Sequence, residues 1–166
     1  MGEREDANPT READGSVLVK TERATNAPYP GCFGTETSAF RAMRVLVADD
    51  QREVGTSLAE LVRHCNCEIV GVVGSGLEAI QAYAKFHPDV VLMDYWMPKL
   101  NGATACRNIL AKHPAARVIL VSAWSPSAEA CASGALAVLP KPVDFDRLNA
   151  TLHAVAESYR APAQSA

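Results

Sequence analysis

From Arg44 onward, short apolar runs alternate with amphipathic stretches, and this alternation predicts the elements. Arg44 to Ala48 is rich in β-branched residues, reads as a strand, and ends against two aspartates. Val54, Leu58, Leu61, Val62 and Cys65 then recur at helical spacing. Glu68 to Val73 reads as a second strand. Ser75, with Glu78 three residues later, forms a capping box that opens a helix through Leu77, Ile80 and Ala84. Asp89 to Met93 predicts a third strand, apolar on both faces, and Gly102 to Lys112 a helix through Cys106, Ile109 and Leu110. A fourth strand is expected over Arg117 to Val121, a short Ala-rich helix over Ser127 to Ala132, and a fifth strand over Ala135 to Leu139. Asp144 caps a last helix with Phe145, Leu148, Leu152, Val155 and Tyr159 on one face.

A strand followed by a helix, five times over, predicts an α/β fold. Strands that are continuous apolar runs are covered on both faces, so the sheet is expected to be parallel with helices on each side. Residues 1–42 break this pattern. They mix charged residues, Asn, Thr, Pro and Gly around one weak apolar patch, Val17-Leu-Val19. Such a stretch buries too little apolar area to offset its ordering entropy, so it is expected to be a disordered extension. Met43 opens the patterned part, and one reading makes it the true translation start. The expected organisation is an extension over 1–42, one folded domain over 43–160 and a tail over 161–166.

Composition narrows the function classes. The chain has 166 residues, a formal net charge of −3 and 48% hydrophobic residues. That balance presents neither a nucleic-acid surface nor a membrane surface. The apolar runs are strand-sized, too short to span a bilayer, and no secretory signal opens the chain, so a cytoplasmic location is expected. The five cysteines, Cys32, Cys65, Cys67, Cys106 and Cys131, are scattered, and His64 beside Cys65 completes no ligand set. None of the four histidines, His64, His87, His113 and His153, neighbours Asp49-Asp50 or Asp94 in sequence, so none is given a catalytic role.

In a parallel sheet all strand C-termini share one edge, and sites form there. Asp49 and Asp50 follow the first strand, Asp94 the third, Ser122 the fourth and Lys141 the fifth. Three carboxylates together call for a cation, and oxygen-only ligands select a hard ion such as Mg²⁺. One carboxylate beside that ion can attack phosphorus, while ammonium and hydroxyl stabilise the charge on the phosphoryl oxygens.

Asp49-Asp50, Asp94-Tyr-Trp-Met-Pro98, Gly102, Ser122-Ala123 and Lys141-Pro142 together resemble the signature of response regulator receiver domains. The resemblance implies a flavodoxin-like five-stranded parallel sheet of order 2-1-3-4-5. It implies that Asp94 accepts a phosphoryl group and that Mg²⁺ is held by Asp50, Asp94 and the backbone carbonyl of Trp96, with Asp49 holding a metal-bound water. It implies that Ser122, Ala123 and Lys141 bind the phosphoryl group and that Lys141–Pro142 is a cis peptide. The implied donor is a phosphohistidine on a sensor histidine kinase or a histidine phosphotransfer protein. Output would then pass by phosphorylation-dependent contact to a protein target, with no direct nucleic-acid binding.

Several positions depart from that signature. The interval from Ser122 to Lys141 is short, so the fourth helix is expected to be short or irregular. Val138 stands where the family tends to carry Tyr or Phe, and Pro140 lacks a backbone donor, which suits only a strand end or edge. Trp96 and Trp124 flank the site and suggest a gate that keeps water from an aspartyl phosphate. Two other functions compete with the signalling reading. A phosphorylation-independent interaction module is favoured by Val138 and the short fourth helix and opposed by the intact acidic triad and Lys141. A Mg²⁺-dependent aspartyl-phosphate phosphohydrolase is disfavoured because Trp96 stands where that class needs a second aspartate.

Overall fold

The computed structural model describes residues 42–123 and 128–160. The expected extension, the tail, Trp124, the start of the Ser127 helix and the side chain of Tyr159 lie outside the described residues. The order is β1 (Arg44–Ala48), α1 (Arg52–His64), β2 (Glu68–Val73), α2 (Gly76–Phe86), β3 (Val90–Asp94), α3 (Gly102–Lys112), β4 (Val118–Ser122), α4 (Ala128–Ala132), β5 (Ala137–Pro140) and α5 (Phe145–Arg160). The five strands form one parallel sheet in the order β2-β1-β3-β4-β5, the expected flavodoxin-like arrangement.

Side chains alternate across each strand, so each strand feeds two cores. Val45, Val47, Val90, Leu92, Ile119 and Val121 meet Leu58 and Val62 of α1 and Leu148, Leu152 and Val155 of α5. Leu46, Val91, Met93 and Leu120 meet Ala79, Ala82 and Tyr83 of α2, Cys106 and Ile109 of α3, and Ala130 of α4. All residues of β3 and β4 are buried. Polar Asp94 and Ser122 are thus carried to the sheet edge at the ends of fully buried strands.

Side-chain caps set the helix starts. Ser75 accepts from the Glu78 amide at 3.2 Å, but Glu78 reaches back to the Gly74 amide at 3.0 Å, one residue before the cap. Asn101 caps α3 by accepting from the Thr104 amide, and Asp144 caps α5 by accepting from the Arg147 amide.

Three strands begin later than their apolar patterns predict. Asp89 stays out of β3 because its carboxylate accepts from the Arg44 amide at 2.8 Å. β4 begins at Val118 and reaches Ser122. Ala135 stays out of β5 because its amide is held by the Ser133 hydroxyl at 3.2 Å, beside Gly134 at φ +85°. The correction matters at the far end, where β5 includes Pro140 opposite Ser122. The next amide, that of Lys141, donates to the Ser122 carbonyl at 2.7 Å. Amide direction alternates along a strand, so the Pro140 nitrogen points away from β4 to the open side of an edge strand. Its missing hydrogen therefore costs no ladder bond.

Candidate functional site

The strand ends bring Asp49, Asp50, Asp94, Ser122 and Lys141 to one edge of the sheet. Asp49 and Asp94 are only 2% and 4% exposed, and Asp50 is exposed. A carboxylate oxygen from each of the three aspartates lies within 4.8 Å of the others. Lys141 enters from the loop after β5. Its Nζ donates to Asp49 Oδ2 at 2.9 Å and lies 3.2 Å from Asp94 Oδ1. Asp49 Oδ1 accepts from the Gln51 amide at 2.9 Å, which fixes the buried carboxylate at the start of α1.

The electrostatics follow from burial. Burial pushes the Asp94 carboxyl up, and Lys141 and the Trp96 amide pull it part of the way back. For Lys141, burial alone would favour the neutral amine. The bond to Asp49 and the charge of Asp94 outweigh that, so its value is raised and it stays an ammonium. Asp49, Asp50 and Asp94 offer only hard oxygen donors, two of them buried, with one ammonium set against three acidic groups. That donor set fits a small divalent cation such as Mg²⁺. Receiver domains bind Mg²⁺ at such an acidic cluster.

The other predicted residues fall around this group. Ser122 is buried at the end of β4, level with Pro140, and Ala123 is exposed beyond it. Lys141–Pro142 is cis. Trp96 is 60% exposed, its ring edge-on to Tyr95 with centroids 5.2 Å apart. Gly102 packs directly under Asp94. A Cβ there would sit 2.2 Å from the Asp94 carbonyl oxygen, and the Gly102 amide donates to the Tyr95 carbonyl at 2.9 Å. Sequence reasoning gave Tyr95 no role. Its side chain is 6% exposed, and its hydroxyl donates to Glu129 Oε2 on α4 at 3.0 Å. The neighbours Asp94 and Trp96 marked its position, but a bond across 34 residues of sequence leaves no local signal.

Residues 45–153, well over half of the chain, match the family described as response regulator receiver domain. The chemotaxis protein CheY of Listeria monocytogenes is 32% identical over 118 residues, covering 69% of this chain and 99% of that protein. The transcriptional regulatory protein PdtaR of Mycobacterium tuberculosis is 33% identical over 129 residues, covering 76% of this chain and 62% of that one. Among solved structures, a CheX–CheY–BeF₃–Mg complex from Borrelia burgdorferi is similar, with a TM-score of 0.61 and 26% identity. The match covers 72% of this chain and 90% of that one. With the sheet order, the acidic edge and Lys141 already in place, these likenesses establish that the chain belongs to the receiver domain family of two-component response regulators.

Proposed function

We propose that this protein accepts a phosphoryl group on Asp94 from a phosphohistidine donor, with Mg²⁺, and signals through a phosphorylation-dependent protein contact. The observation that carries the reading is Lys141 lying between buried Asp49 and buried Asp94, with the Asp50 carboxylate in the same cluster. Asp50 and Asp94, with the Trp96 carbonyl, would hold the cation, and Asp49 would hold a water bound to it. When bound, Mg²⁺ offsets the negative charge shared by the carboxylates and the phosphoryl oxygens.

An Asp94 oxygen attacks phosphorus, the Oδ–P bond forms, and the P–N bond to the donor imidazole breaks. The nitrogen keeps the electron pair. Lys141 stays charged and turns from the Asp94 carboxylate to a phosphoryl oxygen. The Ser122 hydroxyl and the Ala123 amide bind the remaining oxygens. Trp96, exposed beside the acceptor, restricts the approach of water to the aspartyl phosphate. The donor is a sensor histidine kinase or a histidine phosphotransfer protein, and the output is a protein target.

Incubation with Mg²⁺ and acetyl phosphate should add one phosphoryl mass to the wild-type protein and none to Asp94→Asn. Intact-mass measurement checks this. A wild type left unmodified would favour the second reading, a receiver fold that binds partners without phosphorylation. That reading draws on Val138, an aliphatic residue half-buried in β5.

A further inference from the structure

We infer that Tyr95 is a positioning residue whose hydroxyl bond to Glu129 couples the state of Asp94 to α4. Tyr95 is the covalent neighbour of the acceptor, and its amide, carbonyl and hydroxyl are all bonded. Its amide donates to the Val121 carbonyl at 2.8 Å, beside Ser122. Its carbonyl accepts from Gly102 at the start of α3. Its ring runs through the core on the α3–α4 side to Glu129. Arg107 of α3 holds the other carboxylate oxygen of Glu129 at 3.2 Å and bonds the Thr104 hydroxyl at 3.0 Å. The bonds from Arg107 and Tyr95 hold the Glu129 carboxyl below the usual range. Residue 95 therefore ties β3, β4, α3 and α4 together at one point. Val138 supplies no aromatic hydroxyl for such a link from β5.

The inference rests on the reading of Asp94 as acceptor. A phosphoryl group there draws Ser122 towards itself and shifts the Val121 carbonyl, and with it the Tyr95 amide. Glu129 is held separately, by Arg107 of α3, so it does not move with the Tyr95 amide. A hydroxyl bond at 3.0 Å does not survive much lengthening, so the tether belongs to the unphosphorylated form. Coupling is reciprocal: whatever the phosphoryl group breaks also opposes its binding.

The test is calorimetric titration of beryllofluoride with Mg²⁺, a phosphoryl mimic, paired with hydrogen exchange of the α4 amides. Tyr95→Phe keeps the buried ring and loses only the hydroxyl. It should bind beryllofluoride about fivefold more tightly than wild type, the worth of one net hydrogen bond. Its amides from Ala130 in α4 to Ser133 just after it should exchange before ligand is added as fast as those of the wild-type complex. Glu129→Ala should behave alike, and the double variant should gain nothing further. Equal affinity in wild type and Tyr95→Phe, with unchanged α4 exchange, would overturn the tether while leaving Asp94 as acceptor. Absence of beryllofluoride binding by wild type would remove both.

Discussion

Cys67 is half-buried beside Cys65, and burial pushes its thiol up to about 11, with Cys65 adding to the shift. Cys106, buried in the core with its Sγ donating to the Ser133 carbonyl at 3.6 Å, is also pushed up to about 11 by burial. At neutral pH, fewer than about one in a thousand of either thiol is thiolate, the nucleophilic form. Cys131 lies exposed on α4. Limited alkylation with iodoacetamide, followed by peptide mapping, should therefore label Cys131 well before Cys67, and Cys106 only on unfolding. Equal labelling of Cys106 and Cys131 in the native protein would contradict the burial of Cys106. At this scale the acidic site was largely legible. Carboxylate, hydroxyl and ammonium are residue types whose chemistry shows in the sequence, and the apolar runs before them located the strand ends. Tyr95 was not legible, because an aromatic after an apolar run reads equally well as core.

Of the described glycines, Gly102, where α3 starts beside the end of β3, is the most closely crowded. Alanine at Gly102 would place its Cβ against the Asp94 carbonyl oxygen and near the Tyr95 Cα, which are all backbone atoms. Neither rotamer change nor side-chain relief can make room. Gly102→Ala should cost about 2–3 kcal/mol in urea unfolding, typical of overpacking, and should slow phosphorylation by displacing Asp94. Gly74→Ala is the matched control. A Cβ there meets nothing within 4 Å, so its cost should stay within about 0.5 kcal/mol. The elements themselves were legible because buried strands and amphipathic helices have distinct periods. Their boundaries were less so. Asp89 looks like the start of a strand until its carboxylate is seen bonded to Arg44, and Ala135 until its amide is seen held by Ser133. Asn101 was not read as a cap, since only its bond to the Thr104 amide distinguishes it from any loop asparagine.

For the molecule as a whole, three acidic groups within 4.8 Å of one another are a local cost of folding that one lysine only partly offsets. A ligand that binds only the folded form stabilises it by mass action, about 1.4 kcal/mol at ten times its Kd. Mg²⁺ should therefore raise the thermal midpoint of wild type in a saturable way, and Asp50→Ala should abolish most of the rise. An equal rise in both would point to general ionic screening instead. Among the described residues the sheet also has two unpaired borders. β5 is four residues long, and Pro140 turns a nitrogen without hydrogen towards its open side. On the other side, the pairing of β2 with β1 skips a residue, Val70, where Val45↔Ile69 is followed by Leu46↔Gly71. An incoming strand from another molecule would thus meet a missing donor at one border and a broken repeat at the other. The first costs the sheet no ladder bond and the second only a local break in the β1–β2 pairing, and both discourage edge-to-edge aggregation.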